Sequence, residues 1–426
     1  MAREMKDSGI TWVGDIPESW ESKRLKYLLT YNDETLGEST EPDFEFDYID
    51  IGSVEYGKGI TQLQHMVFKD APSRARRIVK TDDIILSTVR TYLKAVAAIP
   101  ENDTPLVAST GFIVLRALQN KVTPRFLNYA VLSNAFISMV EAKSIGISYP
   151  AINASVVVDL SIPVPELSEQ NRIVSFLDSE CSRIDAVIEQ TRASIEEYKK
   201  LKQAVITHAV TKGIRPDRQM KDSGIEWIKE IPSNWSMERG KGLFVEINNR
   251  SVDGSEELLT VSQYTGITPR SQKNVNMFEA ETLEGYKICE VGDIAANTMW
   301  LWAGAIGVSQ YHGVISPSYN IYRQKGTAYN SIFLDYLLRA VPLVEHYESL
   351  STGIRASRLR LYPQQFLSIR FPVPPMEEQQ EIVEYLETKA VEIDKLIKKK
   401  ERFLSELENY KRAMIYEYVT GKKDVK

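Results

Sequence analysis

The feature that most constrains this chain is that it repeats itself. Met5 to Trp20 reads MKDSGITWVGDIPESW and Met220 to Trp235 reads MKDSGIEWIKEIPSNW, ten identities in sixteen positions at an offset of 215 residues. A second match, at an offset of 209, pairs Ile162-Pro-Val-Pro165 with Phe371-Pro-Val-Pro374 and Glu169-Gln170 with Glu378-Gln379. It then runs without a gap to Val210-Thr211 against Val419-Thr420. Chance does not align two such stretches in one order, so the chain is a tandem duplication with similar edges and diverged middles. A single core stops growing near about 250–300 residues. The 426 residues therefore predict at least two domains.

A long helical pattern follows each Pro-Val-Pro. Proline fits neither a strand ladder nor a helix interior, so these segments read as extended leads into helices, with Ser168 as the expected N-cap. Ile173, Leu177, Cys181, Ile184, Ile188, Thr191, Ile195 and Tyr198 recur at steps of three and four, and Ile382, Leu386, Ala390, Ile393, Ile397, Lys400, Leu404 and Leu407 repeat those steps. That spacing is a coiled-coil seam. Residues 168–211 and 377–420 are 44 each, with no internal Gly or Pro, or about 66 Å at 1.5 Å per residue. Gly213 and Gly421 follow as stops. The simplest partner for each helix is the other, antiparallel, with one globular unit at each end; the competing arrangement packs each helix on its own domain. Thr191 and Lys400, the polar positions of the two seams, either set register or lie at a solvated edge.

The expected fold is α+β: two globular, strand-rich domains over residues 1–160 and 216–370, with long antiparallel coiled-coil helices in 161–215 and 371–426. Within the middles, residues 107–115 and 314–322 and the alternation of Phe44, Phe46 and Tyr48 read as strands. Residues 125–140 and 332–345 read as helices, the second distorted by Pro342.

Composition excludes several classes. With 43% hydrophobic and 26% charged residues the chain is neither disordered nor collagen-like. Two cysteines and four scattered histidines make neither a zinc cluster nor a disulfide framework, and a reducing cytoplasm is expected. No apolar run of about 18 residues occurs, so no membrane partner is expected. The net charge of −6 hides a segregation. The two long helices hold −4 and residues 31–57 contain nine acids and no Lys or Arg, so the remainder is positive. Residues 68–94 carry seven bases, among them Arg74, Arg76, Arg77, Arg90 and Lys94, and residues 350–370 carry Arg355, Arg358, Arg360 and Arg370 with no acid. Basic stretches interleaved with Ser, Thr, Tyr and Trp suit phosphate contact and base-edge reading; a solvated basic face is the bland alternative.

Catalytic motifs fail on inspection. Residues 52–59 read GSVEYGKG, where a phosphate-binding loop needs Ser or Thr after Lys58 and the chain has Gly59. Glu141-Ala-Lys143 resembles the tail of a nuclease motif, but the nearest upstream Pro-Asp is Pro42-Asp43. No cofactor is expected on this chain.

The duplicated opening motif (Lys6 to Trp20, Lys221 to Trp235), the Pro-x-Pro followed by Glu-Gln-x-x-Ile, and the paired segments Asp83 to Arg90 with Ser109 to Arg116, and Gly292 to Trp300 with Ser316 to Arg323, resemble the specificity subunits of type I restriction-modification systems. That resemblance covers nearly the whole chain. It implies two target recognition domains and two spacer helices, whose seam residues include Ile184, Ile188, Ile195, Tyr198, Ile393, Ile397, Leu404 and Leu407. It also implies a non-catalytic subunit that binds double-stranded DNA and assembles with two methyltransferase subunits and with restriction translocases. S-adenosylmethionine, ATP and Mg would sit on those partners. Candidate base readers are Ser87, Arg90, Tyr92 and Lys94 in one domain and Asn297, Trp300 and Trp302 in the other, since Arg suits guanine and Asn suits adenine. Core packing is the alternative for the two Trp. A module of a related defence system and a coiled-coil protein adaptor are the competing readings.

Overall fold

The computed structural model describes residues 3–273, 282–353 and 359–425. The chain forms two units, Met1–Arg192 with Arg402–Lys426, and Ala193–Glu401.

In the first unit, an antiparallel sheet runs in the order Val96–Ala98, Ile84–Ser87, Phe112–Ala117, Leu29–Tyr31. A second sheet runs Gln64–Val67, Glu45–Ile49, Leu106–Ser109, Ala75–Val79, its middle pair parallel. Residues 107–115, expected as one strand, thus break into two strands of different sheets, with the turn Thr110-Gly111 between them. The second unit keeps the first of these sheets, as Phe244–Ile247, Asn320–Gln324, Ile294–Ala296, Ile306–Val308. Two strand pairs accompany it, Leu259–Ser262 with Gly266–Pro269 and Lys287–Cys289 with Gly313–Ile315. Residues 314–322 are likewise split.

Each shorter helix is also two. Pro124–Leu132 and Asn134–Ala142 are separated by Ser133, which leaves the helical region (φ −58°, ψ 136°) and accepts the Phe136 N–H at its side chain. In the second unit Ser331–Leu338 and Val341–Leu350 take the place of one distorted helix. Pro342 sits in the first turn of the latter, where its missing N–H costs nothing.

The long helices span Leu167–Lys212 and Met376–Val419. Ser168 lies inside the first turn and is not the cap, because the helix begins at Leu167. The stops are as expected, with Gly213 and Gly421 at φ of +76° and +70°. Within the first unit, Asp185 meets Lys411 at 2.6 Å and Arg192 meets Glu408 at 3.0 Å, so the two helical stretches run antiparallel. Within the second, Lys202 meets Asp394 at 2.7 Å and the Lys400 ammonium lies 5.7 Å from the Tyr198 ring centre, in the same sense. Exposed pairs of this kind contribute about 0.2–1 kcal/mol each, enough to fix register but not to carry stability. Burial carries it: Ile184 and Ile188 are buried with half-buried Leu404 and Leu407 against one core, and Ile195, Ile393 and Ile397 are buried in the other unit. Thr191 is buried and its hydroxyl donates to the Val187 carbonyl. It is a satisfied seam position, whereas Lys400 reaches its edge.

The recurring Glu-Gln explains itself here. Gln170 accepts the Thr123 N–H and donates to the Lys121 and Pro165 carbonyls; Gln379 accepts the Asn330 N–H and donates to the Ala328 and Pro374 carbonyls. Each buried amide thereby ties a long helix to the start of the short-helix pair. Glu169 accepts from the buried Trp20 indole at 3.0 Å, which fastens the opening motif to the same helix end. Placing a carboxylate in a helix's first turn also suits the helix dipole.

Candidate nucleic-acid interface

The strands Ile84–Ser87 and Ile294–Ala296 occupy matching places in the two units. A buried aspartate precedes each, and an arginine from the neighbouring strand grips it with two prongs. Arg116 donates to Asp83 at 2.8 and 2.7 Å, and Arg323 donates to Asp293 at 2.7 and 2.8 Å. These bonds hold both guanidiniums above their ordinary pKa, with the aspartate hydrogen bond as the leading cause. In the sequence both segments stand out without the Asp–Arg link between them, and the signal for that link is its recurrence in the two repeats, Asp83 with Arg116 and Asp293 with Arg323.

From this fixed base a loop projects in each unit. Each contains one 3-10 turn, Thr91–Leu93 and Leu301–Ala303, and ends on a left-handed residue, Lys94 (φ 52°) and Gly304 (φ 85°). Arg90 is left-handed too. For residues with a Cβ that conformation costs about 1–2 kcal/mol each, and such strain gathers at functional sites.

The candidates divide into those that face out and those that do not. Arg90 and Tyr92 are exposed, and the Arg90 guanidinium lies 5.3 Å from the Tyr149 ring centre. Lys94 is half-buried and paired with Glu141 at 3.1 Å. Trp300 is 51% exposed and stacks on the half-buried Trp302 with centroids 5.7 Å apart, so the pair is a surface platform and not core. Ser87 and Asn297 are buried and cannot reach a base as placed. Ser87 donates to the Val89 carbonyl; Asn297 donates to the Tyr319 hydroxyl at 2.9 Å and accepts the Met299 N–H. Lys287, also buried, donates to the Tyr319 carbonyl at 2.6 Å, and Thr298 donates to the Ser318 carbonyl. Asn297 is therefore the floor of the loop and not its reader.

Three bases of the first basic stretch are paired with acids of their own unit. Lys69 pairs with Asp43 at 2.8 Å, Arg74 with Asp50 at 3.3 Å, and Lys80 with Glu34. The Tyr48 hydroxyl and Asp50 raise the Arg74 pKa. Arg76 lies over the Phe68 ring, and burial lowers the Arg77 pKa and leaves its Nε without a partner. The acidic run of residues 31–57 thus has an internal role, balancing this cluster. Arg355 and Arg358 lie outside the described residues; Arg360 is exposed, with its backbone bridged to Thr352.

A segment that the sequence reading passed over completes the first unit's surface. Residues 144–150 lie beside the 88–94 loop, with Thr91 donating to the Ser144 hydroxyl at 2.8 Å and the Ile152 N–H donating to Thr88 at 2.8 Å. The signal in the sequence is the match of Ser144-Ile-Gly-Ile147 with Ser351-Thr-Gly-Ile354, at an offset of 207. Ser144 and Gly146 correspond to Ser351 and Gly353.

The family described as "Type I restriction modification DNA specificity domain" matches residues 17–197 and 235–407, once per repeat. The chain belongs to this family. Relatives of the specificity-domain family include the "Putative type I restriction enzyme MjaX specificity subunit" of Methanocaldococcus jannaschii, 25% identical across 98% of this chain and 96% of that one. The type I restriction enzyme MjaVIII specificity subunit of the same organism is 24% identical over 68% of each. Two solved structures share the fold. A chain from "Structural basis underlying complex assembly and conformational transition of the type I R-M system" has a TM-score of 0.74 and 23% identity over 96% of this chain and 99% of that one. The HsdS subunit from Thermoanaerobacter tengcongensis has a TM-score of 0.50 and 24% identity over 96% and 98%. The family's two matched regions bracket both projecting loops.

Proposed function

We propose that this chain is the DNA sequence-recognition subunit of a type I restriction-modification complex, with each unit reading one half of a bipartite target. One observation carries the reading: the same Asp–Arg fork and strand present two chemically unlike loops, Arg90-Thr-Tyr92 in one unit and Trp300-Leu-Trp302 in the other. A common frame with different tips is what two different half-sites require. Exposed cation and hydroxyl suit base edges and phosphate, while an indole pair suits stacking and base methyl groups.

The chain has no catalytic role in this reading. Methylation and cleavage belong to partner subunits that hold S-adenosylmethionine, ATP and Mg. Apolar side chains exposed on the long helices, including Val187, Leu201, Val391, Leu396, Phe403 and Tyr410, give those partners surfaces on which to pack. Two methyltransferase subunits match the two repeats. Both cysteines are buried and unpaired, which suits a reducing cytoplasm.

Sequencing host DNA for modified adenines tests the reading: a two-part asymmetric motif that disappears on deletion of this chain is expected, and unchanged modification rejects it. Arg90→Ala should then weaken specific binding by about 1–3 kcal/mol, with the loss mapped to one half-site and Trp300→Ala affecting only the other. Equal losses on target and random duplexes would show that these side chains do not read bases.

A further inference from the structure

We infer that residues 144–150 of the first unit form a wedge that enters duplex DNA between base pairs, with Ile147 as the inserted side chain. The inference deepens the recognition reading above and rests on it. Ile147 is 102% exposed, and Ile145 and Tyr149 are also exposed. A single exposed apolar residue is ordinary. Three within five residues, at the tip of a stiff loop, are not what solvation favours.

The loop is stiff because its base is closed twice. The Ile145 N–H donates to the Ala151 carbonyl at 2.8 Å and the Ala151 N–H returns to the Ile145 carbonyl at 3.0 Å. Gly146 makes the turn at φ +114°, where a side chain would be strained. The bonds from Thr91 to Ser144 and from Ile152 to Thr88 join this loop to the reading loop, so Ile147 and Arg90 share one surface. A tip already held in place loses little entropy on insertion.

Charge selects the occupant. Arg90, seated on the Tyr149 ring, and Lys143, at the foot of the loop, are exposed and make no ion pair among the described residues. Cations beside an apolar tip fit a polyanion whose interior is apolar, and a DNA base stack is one. Isoleucine is among the side chains that proteins push between base steps, unstacking them and kinking the duplex. In the second repeat Gly353-Ile354 matches Gly146-Ile147 at an offset of 207, although those two residues are not both within the described part.

The test uses the full chain, with Ile147→Ser and Ile147→Leu variants, on the duplex mapped from host modification. Its ends carry a fluorescence energy-transfer pair, and 2-aminopurine replaces one adenine at a time in the half-site assigned to the first unit. The unaltered chain should bend the duplex and brighten 2-aminopurine at one step. Ile147→Ser should lose both signals and, with the contacts that the bend allows, about tenfold or more in affinity, while Ile147→Leu keeps them. Bending and unstacking unchanged in Ile147→Ser would overturn the wedge and leave recognition standing. An unaltered chain that treats target and random duplex alike would overturn the recognition reading and the wedge with it. Binding to phosphatidylglycerol vesicles that Ile147→Ser abolishes, with DNA binding unaffected, would assign the tip to a lipid surface and overturn the wedge too.

Discussion

Arg116→Met is expected to unfold the first unit at much lower urea than the unaltered protein, while the second unit keeps its transition. Asp83 is 2% exposed, and two of its hydrogen bonds come from Arg116; a third comes from the Lys80 N–H. Removing the arginine leaves a buried carboxylate with one donor. Breaking a buried pair from one side costs about 3–5 kcal/mol, whereas replacing both partners by apolar groups is often neutral. A domain's whole stability is about 5–15 kcal/mol, so this single change takes a large share. Arg116 also meets Glu34 at 2.7 Å, but that carboxylate keeps Lys80 and is partly solvated, so its loss adds little. Adding Asp83→Leu to Arg116→Met should recover most of the loss. Urea unfolding followed by proteolytic fragments specific to each unit decides it: a single mutant as stable as the parent would mean that the fork does not brace the loop's base.

The duplication, both long helices, their seam and their glycine stops are legible in the sequence because each rests on local pattern. A 3–4 repeat needs no knowledge of the rest of the fold. What faced the solvent was not legible, for a reason visible in one strand. Ile84 and Leu86 enter one apolar cluster and Ile85 another, so the strand Ile84–Ser87 is covered on both faces and shows no polar alternation. A polar residue at its end, Ser87, is then buried instead of presented. The same holds for Asn297 after Ala295 and Ala296.

Charge misled in a related way. The basic stretch 68–94 looks free in sequence because its partners stand elsewhere along the chain: Asp43 for Lys69, Asp50 for Arg74, Glu34 for Lys80. Counting charges within a window cannot see such pairs. The helix break at Ser133 is not legible because apolar periodicity continues through it, and Pro342 announces a distortion of the second helix but not that a new helix begins at Val341. Only the capping hydroxyl of Ser133 marks the first restart.

The C-terminal stretch carries the other large effect. Residues 402–425 close the second repeat in sequence yet complete the first unit, supplying Met414, Ile415 and Val419 to its core. Tyr418 packs on Phe176 with ring centres 4.4 Å apart, and the Tyr416 hydroxyl donates to the Trp12 carbonyl at 3.2 Å. A chain ending at Glu401 is therefore expected to lose the first unit, not the second. Each large buried apolar side chain is worth about 2–5 kcal/mol on truncation to alanine, so three of them rival the unit's entire stability. Ile415→Ala alone should cost about 2–5 kcal/mol by the same measure. Limited proteolysis reads the outcome directly. Cleavage should spread through residues 1–192 in the shortened chain while 193–401 stays protected, and a peptide of residues 402–426 added in excess should restore protection by mass action. Protection of residues 1–192 without that peptide would mean that the first unit closes its core unaided.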